Sequence, residues 1–256
     1  TDMRLEQSED GHIFYIVPTC EQLPHKNGDC AGWSDAAVIC PWTVFLFYGN
    51  RDMLRENFEM MRKWVDYIGT KTQDEALWTG CWHYGDWLAL DAPQGSYRGA
   101  SRLDFIASAF YAYSTELAVK AGHALGIDVT AYEELYEKIK AKFRQTFNSY
   151  ETQTECVLAI YMGLTENVRQ TADILAEKIR SCGNHFETGF IGTAYLLHAL
   201  SEGGYLDLAY SLLLREEYPS WLFSLKKGAT TVWEHWDGVM ADGSFWSDDM
   251  NSFNHY

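Results

Sequence analysis

One carboxylate stands among indoles in "KKGATTVWEHWDG", residues 226–238: Glu234, with Trp233 before it and Trp236 two residues on. A surface loop with a snorkelling Glu is one reading. The other is a sugar site, with indole faces against the apolar face of a ring and a carboxylate for a water or a hydroxyl. Other segments between apolar runs repeat the theme: Trp33 and Asp35 in "AGWSDA", His83, Asp86 and Trp87 in "CWHYGDWLALD", His185 and Glu187 in "GNHFETG". Aromatics plus carboxylates are what glycoside hydrolysis uses. One carboxyl group protonates the leaving oxygen, and a second activates water or attacks carbon. An indole beside a carboxyl group raises its pKa by desolvation.

Each candidate has a quieter reading. Asp35 follows Trp33 at the start of a helical run, so it is either an N-cap or first-turn acid or a substrate contact. Asp86 is open in the same way. Trp33 and Trp87 sit at loop–helix junctions and read as site walls. His83, His185 and His235 read as structural histidines.

Other chemistries find no support. There is no GxSxG elbow, HExxH, P-loop or dinucleotide fingerprint. Neither "HYGDWL" nor "NHY" has metal-ligand spacing, so no metal or cofactor is called for. The 36 acidic residues outnumber 20 basic ones, for a formal charge of −16, which argues against nucleic acid or an anionic membrane as partner. No apolar run is long enough to span a bilayer. The six cysteines include no CxxC and read mostly as buried thiols, Cys40 and Cys156 lying in apolar runs. Ten Trp, 16 Tyr and 13 Phe suit a large core plus an aromatic cleft.

The elements that must position these residues are helices. Residues 101–127, "SRLDFIASAFYAYSTELAVKAGHALGI", are apolar almost all round and predict a helix buried on most sides. Residues 128–147 follow with one apolar face, Tyr132, Leu135, Ile139, Phe143 and Phe147, and Glu and Lys opposite. The same inner–outer pair recurs in "SDAAVICPWTVFLFYG" with "NRDMLRENFEMMRKWVDYI", in "TQTECVLAIYMG" with "LTENVRQTADILAEKI", and in "TGFIGTAYLLHALSEGG" with "YLDLAYSLLLREE". Only "GHIFYIVP" offers a short extended segment. The expected fold is all-α, an (α/α)6 toroid or barrel of inner–outer helix pairs. It is expected as a single domain over residues 1–256, and as incomplete, since four pairs and a last piece fall short of six. An open helical solenoid is the alternative. In a toroid the loops that enter inner helices share one end, which gathers the candidate residues there.

The order of motifs resembles the catalytic domain of the α-L-rhamnosidases of glycoside hydrolase family 78. The matching pieces are "DGHIFYIVPT", "AGWSDAAVICPWTVFLFYG", "YGDWLAL", "DFIASAFYAYST", "TQTECVLAIYMGL", "HFETGFIGTAYLLHALSEGGYLDLAYSLLL", "YPSWLFSLKKGATTVWEHWDG" and "MNSFNHY". The resemblance implies an (α/α)6 barrel and inverting hydrolysis of terminal α-L-rhamnosides in a rhamnose-containing glycoside or polysaccharide. It implies Glu234 as the general base, Trp33 and Trp87 as aromatic walls, and His255 as a substrate contact. Asp35, Asp86, Trp233 and Trp236 complete the expected substrate-binding set. The family's general acid stands in a motif like "DERLGWTGD", ahead of the "DGHIFYIVP" segment, and no such stretch occurs here. Glu21 and Asp29 are nearby acids outside any such motif. The expectation is therefore an internal part of a longer enzyme, trimmed at both ends, with its acid upstream. The rival readings are another α/α-toroid glycosidase, a sugar epimerase, or a non-catalytic carbohydrate-binding homologue. The sequence assigns neither compartment nor oligomeric state.

Overall fold

Two kinds of helix, one apolar all round and one amphipathic, alternate along the chain. The computed structural model describes residues 2–20, 28–72, 76–248 and 251–255. Among these residues the helices are α1 (Asp2–Glu6), α2 (Ala36–Tyr48), α3 (Arg51–Lys71), α4 (Leu103–Leu125), α5 (Thr130–Thr146), α6 (Gln153–Tyr161), α7 (Val168–Ser181), α8 (Phe190–Glu202), α9 (Leu206–Leu213) and α10 (Trp221–Lys226). No strand occurs among the described residues; isolated antiparallel bridges join Trp87 to Arg98 and Val239 to Phe245. The "GHIFYIVP" segment is irregular chain, and the Ile13 carbonyl accepts from the Ser34 hydroxyl at 2.8 Å. Among the described residues no helix is long and apolar enough to cross a membrane.

The inner–outer pairs read from the sequence are the helical hairpins α2–α3, α4–α5, α6–α7 and α8–α9, each packed helix on helix. Within the single domain expected from the sequence, two compact units separate. One is Thr1–Gly85 with Arg102–Ser149, and the other Asp86–Ser101 with Tyr150–Tyr256.

In the first unit, Gly49 ends α2 in the left-handed region, φ 64°, and its amide bonds to Phe45 O at 2.8 Å. Asn50 then starts α3 by accepting from the Met53 amide at 2.9 Å. The α4 helix is buried on nearly every side because its polar residues are small and bond inward. Ser108 donates to Trp78 O at 3.1 Å, and Thr115 to Tyr111 O at 2.8 Å. Phe143 and Phe147, on the apolar face read for α5, pack their rings 4.8 and 5.1 Å from Phe105. Such aromatic pairs contribute about 0.5–1.5 kcal/mol each beyond area burial. The hairpin is tight: a Cβ on Gly122 would lie 2.2 Å from Val129 Cγ1.

The α2 helix departs from the expected inner helix. Leu46, Phe47 and Tyr48 are 62%, 79% and 80% exposed, and Cys40 is exposed too. Its apolar run is wider than the surface that α3 and α4 cover. The other cysteines divide: Cys30 and Cys156 are buried, Cys81 and Cys182 half-buried and Cys20 exposed, all of them free thiols.

In the second unit, α6 is buried from Gln153 to Ile160, and α7 turns Ala172, Leu175, Ala176 and Ile179 towards it. Thr152 caps α6 through the Glu155 amide at 3.2 Å, while the Glu155 carboxylate reaches back to the Glu151 amide at 2.7 Å. This is a capping box displaced by one residue. Asn167 and Ser220 cap α7 and α10, at 3.0 and 3.1 Å. The fully buried Leu196 and Leu200 on α8, with the almost fully buried Leu212 on α9, complete this core.

Candidate active site

The loop cluster of the second unit is organised by Asp86. This side chain has no exposed surface. Its Oδ1 accepts from the amides of Ile191 at 2.8 Å and Gly192 at 3.2 Å. Its Oδ2 accepts from the Gly189 amide at 2.9 Å and from the Thr154 hydroxyl. The α8 helix begins after Gly189, which has no side chain to cap it, so its first amides find their acceptor in Asp86. Burial pushes the Asp86 carboxyl up from its ordinary value, while Thr154 and the three amides pull against it. Only glycine fits at position 189: a Cβ there would lie 2.2 Å from Trp87 O and 2.6 Å from Ala89 N.

Fixing Asp86 fixes Trp87. The Trp87 carbonyl accepts from the Phe190 amide at 2.9 Å. The loop then doubles back on itself, with Leu88 N donating to Tyr97 O at 2.6 Å and Gly99 N to Asp86 O at 2.9 Å. Leu88 makes the bend in the left-handed region, φ 58°, a strained conformation for this residue type. The Trp87 ring lies 5.4 Å from Tyr97, and Tyr97 lies 5.3 Å from Trp246. Nearby, Asp91 accepts from the Ala100 amide at 3.1 Å. Burial first, then the charges of Asp86 and Glu187, push its carboxyl up to about 6.

Glu234 stands on one of two segments that run side by side. Its amide donates to Ser252 O at 2.9 Å, the His255 amide donates to Val232 O at 3.0 Å, and the Thr231 hydroxyl donates to Phe253 O. The Ser252 amide donates in turn to Glu234 Oε2 at 3.3 Å. Oε1 faces His255 Nδ1 at 3.9 Å, a spacing that one water can bridge. The two side chains are 15% and 29% exposed. The His255 ring lies 5.6 Å from Phe190, whose amide holds Trp87. Trp87, Phe190, His255 and Glu234 therefore form one continuous line. A carboxylate with one oxygen anchored and the other open to a bridged water can act as a general base.

Trp233 and Trp236, the neighbours that drew attention to Glu234, turn elsewhere. Trp236 packs 5.0 Å from Phe186 and 5.2 Å from Trp221, and Trp233 packs 5.2 Å from Phe253. Both line a cavity of about 400 Å³ with Trp221, Ser224 and Thr230, and neither Glu234 nor His255 is part of that lining. His235 is buried against Asp237, with its ring 4.9 Å from Trp246.

Trp33 and Asp35 belong to the first unit. The Trp33 ring lies 4.9 Å from Tyr84, which lies 4.9 Å from Trp82. Asp35 is completely buried and accepts from Trp64 Nε1 at 2.9 Å, the Ser114 hydroxyl at 2.6 Å and the Gly32 amide at 2.8 Å. Burial pushes its carboxyl up, and these three donors pull against it. It makes no side-chain cap to α2, which it precedes. His83 is a buried joint: Nδ1 accepts from the Gly85 amide at 3.1 Å, leaving Nε2–H for Leu103 O at 3.0 Å. Asp29 binds the Tyr67 hydroxyl, and Glu21 lies outside the described residues. Sequence reasoning passed over Phe190 and Ser252, which are the links between Trp87, His255 and Glu234. Their signal was only their place beside "HFETG" and within "NSFNHY".

A family model described as the bacterial alpha-L-rhamnosidase 6 hairpin glycosidase domain matches residues 1–256, and the chain belongs to that family. It is 34% identical over 99% of its length to an alpha-L-rhamnosidase of Formosa agariphila, of which it covers 28%. The crystal structure of Streptomyces avermitilis alpha-L-rhamnosidase complexed with L-rhamnose matches all of the chain at 34% identity and a TM-score of 0.91, over 24% of that protein. The native Aspergillus terreus enzyme matches all of it at 29% identity and a TM-score of 0.90, over 31%. The chain thus spans about a quarter of the length of the curated relatives it matches.

Proposed function

We propose that this chain supplies the water-activating half of an inverting glycosidase that removes terminal α-L-rhamnose from a glycoside or polysaccharide. The observation that carries the reading is the anchored Glu234 carboxylate facing His255 in a chain of this family. Glu234 takes a proton from water as the water oxygen attacks the anomeric carbon and the bond to the leaving oxygen breaks. His255 bonds to a sugar hydroxyl. Trp87 offers an aromatic face to the sugar. Rhamnose carries a methyl group where mannose has a hydroxymethyl, and burying one methyl favours it by about 1 kcal/mol. On the motif resemblance, the general acid lies outside residues 1–256.

Asp35 and Asp86 are positioning residues in this account. Their oxygens are taken up by internal donors, so they act through the segments that carry Trp33 and Trp87. The test is Glu234→Gln in the whole protein, assayed for release of β-L-rhamnose from an aryl α-L-rhamnoside. Inversion is read from the first anomer seen by NMR; α-rhamnose as the first product would refute the inverting step.

A further inference from the structure

Most shielded guanidinium groups of this acidic chain have an acceptor. Arg62 pairs with Glu59 and Asp66, Arg215 with Glu217 and two carbonyls, and Arg102 with Ser149 O. Arg98 is different. Its Nε, like that of Arg215, is closed off from solvent without a hydrogen-bond partner, but among the described residues no ion pair or ring contact involves the Arg98 guanidinium.

Its position is set by the loop that carries Trp87. Trp87 and Arg98 form an antiparallel bridge. The bonds Gly99 N to Asp86 O and Leu88 N to Tyr97 O flank this pair, so it is the non-hydrogen-bonded kind. Opposed residues of that kind send their side chains to the same face, with Cβ atoms about 4.5–5.5 Å apart. The backbone of Arg98 is pinned as well: Ser96 Oγ accepts from its amide at 3.0 Å and donates to its carbonyl at 3.1 Å. A cation without a counter-charge among the described residues thus starts from a pinned backbone position opposite Trp87.

We propose that Arg98 is an anion subsite next to the sugar face of Trp87, and that it takes a carboxylate or sulfate-ester oxygen on the sugar bonded to rhamnose. The inference rests on the reading of Trp87 as a sugar wall. A sugar hydroxyl could accept a hydrogen bond from the guanidinium but would leave its charge unneutralised. A carboxylate, or two oxygens of a sulfate ester, matches the guanidinium fork with two parallel bonds and neutralises the charge. The aromatic run from Trp87 through Tyr97 on this loop to Trp246, beside the Val239–Phe245 bridge, offers ring faces to that neighbouring sugar.

The test uses the whole protein with three disaccharides: rhamnosyl-glucose, rhamnosyl-glucuronic acid and a rhamnosyl-glucose sulfate. kcat/KM and calorimetric Kd are measured for the wild type, Arg98→Met and Arg98→Lys. The wild type should prefer an acidic substrate by about tenfold or more, and Arg98→Met should erase the preference while changing neutral turnover less than about threefold. The acid preferred, uronate or sulfate, identifies the source of the anion. Arg98→Lys should keep part of the preference. Equal handling of neutral and acidic substrates by the wild type overturns the proposal, whether or not the Met variant folds. An equal loss on all substrates in a folded Met variant also overturns it. If no disaccharide is hydrolysed, the rhamnosidase reading falls, and calorimetry alone decides the Arg98 subsite: tighter binding of an acidic disaccharide supports it, and equal binding refutes it.

Discussion

The Ile191 amide, at the start of α8, donates to Oδ1 of Asp86 at 2.8 Å. One carboxylate from a distant loop thereby replaces the side-chain cap that Gly189 lacks, and its chain neighbour is Trp87. Asp86→Ala would leave three amides and the Thr154 hydroxyl without their acceptor. The expected loss is about 3 kcal/mol or more of stability, since each unsatisfied buried donor costs about 1–3 kcal/mol. Urea denaturation would measure it. Asp86→Asn keeps one acceptor oxygen and should fall between the two.

Gly189 tests the same joint from the other side. A methyl group there would meet Trp87 O at 2.2 Å, so helix and loop must part. Gly189→Ala is expected to destabilise by about 1–3 kcal/mol. It should also lower turnover more than a surface Gly→Ala change of equal thermal effect, because it moves Trp87. Tm and kcat/KM measured together would separate the two effects.

Asp91 gives a pH signature. Its carboxyl is pushed up to about 6 in the folded chain, against about 4 when unfolded. The folded state therefore disfavours the ionised form. Stability from this group is fully present below about pH 4 and is lost as pH rises through about 6. Asp91→Asn keeps an acceptor for the Ala100 amide and carries no charge. It should raise Tm by a few degrees at pH 8, with the gain shrinking between about pH 6 and 4 and absent below that. Thermal melts across this range read the difference.

In the first unit, Asp35→Ala should be as damaging as Asp86→Ala. It would strand the Trp64 indole N–H and the Gly32 amide, and loosen Ser114 on α4. A loss of about 2–4 kcal/mol is expected, read by Trp fluorescence during denaturation.

The hairpins were legible because their pattern is local. The apolar run of α4 and the single face of α5 state their burial within a few turns. The work of Asp35 and Asp86 was not legible. Spacing suggested a local cap, but their partners stand 29, 79 and more than a hundred residues away. The indoles beside Glu234 show the same limit. Trp233, next to Glu234 in an extended segment, points to the opposite side, and the chain turns at residues 236–237, so Trp233 and Trp236 line a cavity of their own while Glu234 meets His255. The exposed end of α2 was also hidden, since composition reports how apolar a helix is and not what covers it.

The most direct measurement is turnover of an aryl α-L-rhamnoside by the whole protein carrying Glu234→Gln, with Tm recorded alongside. Gln keeps an oxygen for the Ser252 amide but cannot take a proton from water. The account predicts a fall in kcat of about 10²–10⁴-fold with Tm nearly unchanged. A folded Glu234→Gln protein with wild-type kcat would contradict it.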